Sequence, residues 1–352
     1  MNLITKIKFF YRSAYQMGHF PPVLSVMFSS KKVFVYYGFL GDNNYGDELV
    51  YEATKEIFKG HILVPMKRRM PISLRLYLIF RKGIIKGIVI GGGTLISKFR
   101  DAAYFKNLVE MGKPVYLHGT GVHANIKDVN SWTTILNSEV FGGVRGPLSV
   151  KNLEQIRPMT NILGDAAFGI ALPDKLVKSV ESRKVLINLG THANYEGQDI
   201  FRNVFNPFIE YLISNKYDVF YLPFHDIDME LGLSIKKTYP EVMMLTQPIG
   251  FAECSMLFAD CTFAIGERLH FIVMAIMTST PFTSINYAKK HNDLLLSLSH
   301  TQNGLFPEEA SLERLIYDFN NRHTFEWKNT QRKIDEYRKL QINEMQNFTI
   351  NS

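Results

Sequence analysis

Cysteine is scarce in this chain. Only Cys254 and Cys261 occur among its 352 residues, and no second cluster of cysteine and histidine accompanies them at the spacing of metal ligands. Zinc sites and disulfide-stapled domains both need more such residues at short intervals. The sequence therefore gives no signature of a structural disulfide or a metal site, and we predict that both cysteines are small core residues.

Long apolar runs are also missing. None approaches the ~20 apolar residues that a membrane-spanning helix needs. Lysines and an arginine interrupt residues 1–20, which lack the central apolar run of a signal peptide. The composition, 46% hydrophobic and 21% charged, is that of a soluble globular protein. We therefore expect a cytoplasmic protein.

Acidic residues are absent from residues 1–40 and 57–100, although the whole chain has 33 of them against 40 basic residues. The second stretch mixes its basic residues with large apolar ones, as in PISLRLYLIFRK. A solvated face, a nucleic-acid site and an anionic membrane surface each suit such a stretch. No nucleic-acid motif occurs. We therefore favour peripheral contact with the anionic cytoplasmic face of the inner membrane, with a solvated face as the alternative.

Strand-like and helix-like segments alternate along the chain. Ten apolar runs rich in β-branched and aromatic residues predict strands that begin near residues 33, 84, 114, 140, 161, 183, 217, 242, 259 and 280. Such alternation is typical of parallel α/β sheets, and the length is enough for two domains. We predict an α/β protein with two Rossmann-like domains, residues 1–178 and 179–325, and a C-terminal helix over 326–352.

The segment YGFLGDNNYGDELVYEA, residues 37–53, is a predicted strand-to-helix loop rich in glycine, asparagine and aspartate. In a parallel sheet such loops lie at the carboxyl ends of the strands, where helix N-termini attract anions. Asp47 and Glu48 favour helix capping, because a carboxylate in the first turn stabilises a helix. Contact with a ligand is the alternative.

Glycines and an arginine follow other predicted strands. Gly91, Gly92 and Gly93 end the run IVIGGG and could turn backbone N–H groups toward a phosphate or carboxylate, although such glycines also serve close packing. Arg145 precedes a helix that begins at Pro147, a place where arginine can clamp an anion. A surface arginine that caps a loop is the alternative.

The segment GERLHFIVMAIM, residues 266–277, carries the sharpest pattern. Arg268 and His270 lie between a buried strand and an apolar helix, so that both can address one anion. The imidazole can also donate a proton near neutral pH. A histidine that caps the helix is the alternative.

Two further loops carry charge. LPFHDIDMEL places His225, Asp226 and Asp228 at a spacing that a metal could use, but no third ligand is near in the sequence, so we predict loop and capping roles. INYAKKHNDLL places Lys290 after the last strong strand, where it either raises the attraction for anions or is simply solvated. Neither pattern alone assigns a function.

Taken in order, the motifs GDNNYGDE, VIGGGTLIS, HGTGV, VRGPLS, LGDAAF, GERLHFIVMAI and TPFTSINYAKK resemble those of the polysaccharide pyruvyl transferase family. The resemblance covers about residues 33–300. It implies two GT-B-like domains with a cleft between them. It also implies transfer of the enolpyruvyl group of phosphoenolpyruvate, as a ketal, to a sugar of a cell-surface polysaccharide or its lipid-linked precursor. The chain departs from the family pattern at Ala166, which replaces a proline, and at HGTGV, where G-Q-G is more familiar.

The resemblance also implies roles for individual residues. Arg268 would hold the anionic donor and His270 would be the general acid, while Asp47 would orient or deprotonate the acceptor hydroxyl. No cofactor is expected beyond phosphoenolpyruvate itself. The predicted substrate-binding residues are Arg145, Gly91, Gly92, Gly93, Asn44, Gly46, His118 and Lys290.

Two other functions fit the same architecture. A glycosyltransferase that uses a nucleotide sugar would also need cations at helix N-termini. A non-catalytic sugar-binding protein could keep the fold without the chemistry, although the joint presence of Arg145, Arg268 and His270 argues against it.

Overall fold

The chain forms two compact units in a computed structural model. Unit 1 comprises Met1–Asn43, Asp47–Ile170 and Glu336–Ser352, and unit 2 comprises Asn44–Gly46 and Ala171–Asp335. The structure describes residues 21, 26, 28–40, 43–66, 82–97, 108–158, 160–174, 176, 181–190, 194–195, 198–199, 201–245 and 250–352. The domain limits that the sequence predicts at 178 and 325 stay predictions.

Unit 1 is built on a parallel sheet with the strand order β2-β1-β3-β5-β6-β7, in which β4 also pairs with β5. The strands are β1 (Val33–Tyr37), β2 (Ile62–Pro65), β3 (Ile85–Ile90), β4 (Thr94–Ile96), β5 (Val115–Val122), β6 (Val140–Val144) and β7 (Asn161–Ile162). The α-helices that alternate with them are α1 (Tyr45–Ile57), α2 (Val129–Leu136) and α3 (Pro147–Leu153), with short 3-10 helices at Lys82–Ile84 and Ala166–Gly169.

The apolar strands of unit 1 are buried on both faces of the sheet. Every residue of β1 and β5 is buried. Because successive side chains point to opposite faces, Val33 and Val35 join one core cluster while Phe34 and Tyr36 join another. Continuous apolar runs of this kind are typical of parallel sheets covered on both sides.

Unit 2 is built on a second parallel sheet, with the strand order β12-β11-β8-β13-β14-β15 and a separate two-stranded hairpin, β9-β10. The strands are β8 (Lys184–Asn188), β9 (Asn194–Tyr195), β10 (Gln198–Asp199), β11 (Asp218–Tyr221), β12 (Met243–Met244), β13 (Phe263–Gly266), β14 (Phe282–Ile285) and β15 (Gly304–Leu305). This is the Rossmann strand order. The chain adds strands on one side of β8 as far as β12, and then adds β13, β14 and β15 on the other side.

The helices of unit 2 include one, α7, in which every residue is buried. The α-helices of unit 2 are α4 (Asn206–Ser214), α5 (Asp228–Thr238), α6 (Phe251–Ala259), α7 (Leu269–Met277), α8 (Lys289–Leu298), α9 (Leu312–Asn320) and the start of α10 (Lys328–Asn351). A π-helix at Phe201–Phe205 precedes α4, and short 3-10 helices lie at Thr301–Asn303, Pro307–Glu309 and Arg322–Thr324.

The prediction of two parallel-sheet α/β domains is confirmed. All ten predicted strands are present, and the predicted C-terminal helix is α10. Strands β2, β4 and β15 and the β9-β10 hairpin were not predicted from the sequence. Cys254 and Cys261 are free and buried, which confirms them as core residues, and burial raises the pKa of the Cys254 thiol to about 12.

The predicted membrane-facing surface lies largely outside the described residues. Residues 67–81 and 98–100, which carry most of its basic side chains, have no structural description. Within the described ranges, no helix is long and apolar enough to cross a membrane. Membrane contact therefore stays a prediction.

The C-terminal helix completes the core of unit 1. Phe348, fully buried near the end of α10, contacts a cluster of aromatic rings. Its ring centroid lies 5.1 Å from that of Phe34, 5.5 Å from Tyr116, 5.6 Å from Phe141 and 6.1 Å from Phe58. These contacts join the end of α10 to β1, to the residue that follows α1, and to the strands β5 and β6.

We expect Phe348→Ala to reduce the free energy of unfolding by about 3–5 kcal/mol, because it removes buried apolar surface and leaves a cavity among rigid rings. The measurement is denaturant unfolding. Ile350→Ala, two residues along the same helix, is the matched control because Ile350 is 76% exposed. Equal effects of the two substitutions would contradict this role of Phe348.

Candidate active site

The sheet of unit 2 has its point of reversal between β8 and β13. The chain continues from β8 toward β11 and from β13 toward β14, on opposite sides of this pair. Open α/β sheets bind ligands in the crevice that such a reversal leaves at the carboxyl ends of the strands. Asn188 and Gly190 lie at this end of β8, and Glu267 and Arg268 follow β13 directly.

Arg268 is held by Asp228, the first residue of α5. Its Nη2 donates to Oδ1 at 2.5 Å, and its Nε lies 3.1 and 3.2 Å from Oδ1 and Oδ2. The Asp228 side chain is fully buried, whereas that of Arg268 is 13% exposed. Burial acts to lower the pKa of Arg268, but the hydrogen bond and charge of Asp228 outweigh it and raise the pKa. Arg268 is thus a permanently charged group with a fixed orientation.

Asp228 also organises the loop before α5. Its Oδ2 accepts hydrogen bonds from the backbone N–H groups of Phe224 and His225, both at 3.1 Å, and from Nδ2 of Asn188 at 3.3 Å. Oδ1 of Asn188 accepts in turn from the backbone N–H of Arg268 at 3.1 Å. One buried carboxylate therefore links the ends of β8, β11 and β13.

Glu267 is a second buried carboxyl group in this network. Its Oε2 accepts from the backbone N–H of Gly190 at 2.6 Å, and its carbonyl accepts from Nε2 of His291 at 2.8 Å. A Cβ atom at Gly190 would lie 3.1 Å from Glu267 Oε2, 3.2 Å from Asp228 Oδ1 and 3.3 Å from Arg268 Nη2. Burial raises the pKa of Glu267 to about 8, against the lowering effects of Gly190 N–H and Arg268, and the charge of Asp228 adds to the increase.

His270, the second residue of α7, lies against the segment Asn44–Gly46, which belongs to the same unit. Tyr45 anchors this segment, since its N–H donates to the Phe224 carbonyl at 2.8 Å and the two rings are 4.9 Å apart. A Cβ atom at Gly46 would lie 2.2 Å from His270 Nδ1 and 2.6 Å from its Cγ. The glycine of the loop is therefore required by the position of the imidazole.

Lys290 approaches the same region through an aromatic ring. Its Nζ lies 4.8 Å from the centroid of Tyr287. Burial lowers the pKa of Arg268, and Asp228 raises it by a larger amount. A smaller electrostatic effect of Tyr287 also raises this pKa. Lys290 is half-buried at the start of α8, and its role toward a ligand stays a prediction.

Arg145 lies inside unit 1, where it is 1% exposed. Its backbone N–H donates to the Thr120 carbonyl at 3.0 Å. A Cβ atom at Gly121 would lie 2.5 Å from Nη2 of Arg145 and 3.0 Å from Oγ1 of Thr94. The guanidinium thus packs over a glycine beside a hydroxyl group. The alternative of a surface arginine is wrong, and anion binding by Arg145 stays a prediction.

Gly91 and Gly92 are explained by packing. The N–H of Gly91 donates to the Tyr37 carbonyl at 2.8 Å, so it is occupied by the sheet and does not have the anion-binding role that we predicted from the sequence. A Cβ atom at Gly91 would lie 2.2 Å from the Tyr36 hydroxyl oxygen, and one at Gly92 would lie 2.8 Å from Val50 Cγ1. Both positions need glycine for close packing.

Gly93 and Asp47 lie near each other in unit 1. Gly93 has a φ of +86°, in the region that favours glycine, and a Cβ atom there would lie 3.9 Å from Asp47 Oδ1. Asp47 and Glu48 occupy the first turn of α1, as the capping interpretation predicts. Asp47 is half-buried, and its charge adds to burial in raising the pKa of Tyr36. Its role as a base stays a prediction.

His118 has a structural environment. It is fully buried, with Nδ1 2.9 Å from the Thr54 hydroxyl and Nε2 3.1 Å from Oε1 of Gln341 on α10. The amide nitrogen of Gln341 donates to the carbonyls of Leu163 and Asp165, so His118 Nε2 is the donor to Oε1. Burial lowers the pKa of His118 to about 4. This placement favours a role in joining α10 to the sheet over the substrate contact predicted from the sequence.

The model of the polysaccharide pyruvyl transferase family matches residues 44–289. The chain belongs to this family. The match begins at Asn44 and includes Arg145, Arg268 and His270, whereas Lys290 lies one residue beyond it. A comparison with curated proteins gives no significant match.

Solved structures confirm the GT-B-like fold of this pyruvyl transferase family member. A putative UDP-N-acetylglucosamine 2-epimerase from Listeria monocytogenes has a TM-score of 0.58 at 11% identity and covers 90% of this chain and 95% of its own. UDP-GlcNAc 2-epimerase from Neisseria meningitidis, bound to UDP-GlcNAc, has a TM-score of 0.57 at 10% identity and covers 91% and 100%. At this identity the likeness shows the fold alone.

For this pyruvyl transferase family member, sequence reasoning missed Glu267 as a site residue and the ion pair between Asp228 and Arg268. Glu267 carried a signal, since an acid between the end of a buried strand and Arg268 is costly to bury without a purpose. Asp228 was assigned a loop or capping role, which its bonds to the N–H groups of Phe224 and His225 support, but nothing in the sequence indicated its pairing with Arg268, 40 residues away. In the described part of the chain, no group of three or more His, Cys, Asp or Glu side chains is placed to hold a metal ion.

Proposed function

We propose that this protein transfers the enolpyruvyl group of phosphoenolpyruvate to two hydroxyls of one sugar, forming a pyruvate ketal and releasing phosphate. The acceptor is a cell-surface polysaccharide or its lipid-linked precursor, and the reaction takes place at the cytoplasmic face of the inner membrane. The observation that carries the proposal is the pairing of Arg268, fixed by Asp228, with His270 at the point of sheet reversal in unit 2.

Arg268 supplies the donor with a rigid bidentate cation. Phosphoenolpyruvate carries a carboxylate and a phosphate, and guanidinium groups bind both through paired hydrogen bonds. Asp228 occupies one side of the guanidinium and neutralises part of its charge, but the fixed orientation reduces the entropy lost when an anion binds. Lys290 adds positive charge nearby through its contact with Tyr287.

His270 supplies the proton that starts the reaction. Protonation of the methylene carbon makes C2 electrophilic, and a sugar hydroxyl then forms the first C–O bond to C2 and loses its proton. The second hydroxyl forms the other C–O bond as the bond from C2 to the phosphate oxygen breaks. One hydroxyl proton restores the acid and the other leaves with phosphate. Asp47 is our candidate for accepting one of these two protons first, before the proton passes to the acid or to phosphate.

The proposal is tested with purified protein, phosphoenolpyruvate and a panel of simple and lipid-linked galactosides. We expect release of inorganic phosphate together with the mass gain of one pyruvate ketal on an acceptor. Phosphoenolpyruvate at a hundred times its Kd should also stabilise the fold by about 2.7 kcal/mol, seen as a raised Tm. Phosphate release without a mass gain on any acceptor would indicate hydrolysis and contradict the transfer.

A nucleotide-sugar glycosyltransferase is the second candidate, because a protein of similar fold has been solved with UDP-GlcNAc bound. The same panel separates the two functions. A Tm raised by a nucleotide sugar but not by millimolar phosphoenolpyruvate, with nucleotide release on an acceptor, would favour this candidate and overturn the first.

A further inference from the structure

The Glu267 carboxyl group has two oxygens in different situations. Oε2 accepts the hydrogen bond from Gly190 N–H at 2.6 Å. Oε1 is buried and has no hydrogen-bond partner among the described residues. The residue as a whole is 1% exposed. A buried polar atom without a partner costs free energy, so an unused Oε1 beside Arg268 suggests that a ligand supplies the missing partner.

The protonation state decides which ligand atom can fill that place. Burial, together with the charge of Asp228, raises the pKa of Glu267 to about 8 in spite of Gly190 N–H and Arg268, so the carboxyl is mostly neutral at pH 7. Since Oε2 is the acceptor for Gly190, the proton belongs on Oε1. Oε1–H is then a donor that needs an acceptor, and the oxygens of an anion are strong acceptors.

We propose that Glu267 binds the donor as a neutral acid, with Oε1–H donating a hydrogen bond to a carboxylate or phosphate oxygen that Arg268 also contacts. This inference rests on the proposed function for the identity of the anion. A neutral acid adds a donor to the site without adding negative charge. Ionisation of Glu267 would remove that donor and place a second carboxylate beside Asp228, and both changes weaken anion binding.

Titratable groups that neighbour Glu267 could also affect the pH dependence of anion binding. Asp228 from α5 and Arg268 from the same loop flank it, Tyr221 from β11 is near enough to be influenced by its charge, and His291 from α8 contacts its carbonyl. The pKa of Tyr221 is raised by burial, then by Asp228 and Glu267, which keeps the phenol neutral through the range of interest. A phosphate monoester has its second pKa at about 6, so the charge of phosphoenolpyruvate is nearly constant above pH 7. Inorganic phosphate still titrates close to pH 7, so its curve is read as the difference between the wild type and Glu267→Gln.

The experiment measures Kd for phosphoenolpyruvate and for inorganic phosphate by calorimetry from pH 7 to 9.5. If only the protonated form binds, the affinity of the wild type should fall about tenfold between pH 7 and pH 9. Glu267→Gln keeps an acceptor for Gly190 and a permanent N–H donor, so its affinity should match the wild type at pH 7 and change less than about twofold up to pH 9.5.

Glu267→Met is neutral but has no hydrogen-bond donor. It should bind both anions more weakly than the wild type at pH 7, and its affinity for phosphoenolpyruvate should not depend on pH. Glu241→Gln, an exposed position in unit 2, is the matched control.

Each outcome separates the inference from the proposed function. Wild-type and Glu267→Gln curves that fall together above pH 8, or a Glu267→Met protein that binds as tightly as the wild type, would overturn the role of Glu267. A protein that binds inorganic phosphate but not phosphoenolpyruvate would contradict the proposed donor. The phosphate affinities of the same variants would then decide the role of Glu267. A wild type that binds neither anion overturns both.

Discussion

His270→Gln should lower the turnover of phosphoenolpyruvate about a hundred- to ten-thousandfold and leave its affinity nearly unchanged. Glutamine keeps the approximate size of the side chain and a hydrogen bond, but it cannot deliver a proton to the methylene carbon. The affinity is measured by calorimetry and the turnover by phosphate release, with melting curves to confirm the fold. Turnover within about threefold of the wild type would remove His270 from the acid role.

The companion variant Arg268→Lys separates binding from chemistry. Lysine keeps the charge but loses the planar fork that Asp228 orients, so the affinity for phosphoenolpyruvate should fall together with the rate. A loss of rate with unchanged affinity in both variants would show that Arg268 does not hold the donor in its ground state.

Gly46→Ala is expected to reduce turnover about a hundredfold, although alanine adds only one methyl group. Its Cβ would lie 2.2 Å from Nδ1 of His270, closer than atoms can approach, so the imidazole must move. A displacement of about 1 Å can cost a hundredfold in rate. The same overpacking should reduce the free energy of unfolding by about 1–3 kcal/mol.

Gly83→Ala provides the matched control, because nothing lies within 4 Å of a Cβ atom at Gly83. Its turnover should equal that of the wild type. Phosphoenolpyruvate affinity is the decisive second measurement for Gly46→Ala. An affinity that falls as far as the rate would mean that the substitution disturbs the whole site, and it would contradict a specific effect on His270.

Local patterns were enough to predict the elements that position the site. The apolar runs predicted β8, β13 and α7, and the strand-to-helix junction predicted that Arg268 and His270 share one end of a sheet. The loop with Gly46 was also singled out for its glycines. What the sequence could not show is that this loop contacts the imidazole, because Gly46 and His270 are brought together by tertiary folding alone.

Long-range partners account for the rest of what the sequence left open. The family resemblance implied that His118 contacts substrate, but its partner in the structure is Gln341, 223 residues away in the chain. Gly91 was predicted to bind an anion, but the nearby Tyr36 ring already needs the space. In both cases a polar or flexible residue has a structural role that only the packed interior reveals.

The discontinuity of unit 1 has a consequence for the order in which the protein matures. A ribosome makes residues 336–352 after the continuous stretch of unit 2, yet Phe348 and Gln341 from these residues complete the interior of unit 1. Domains commonly fold in the order of their synthesis. Here the continuous stretch Ala171–Asp335 of unit 2 emerges before unit 1 has its final helix. Unit 1 therefore reaches its complete core only after residues 336–352 have also been synthesised.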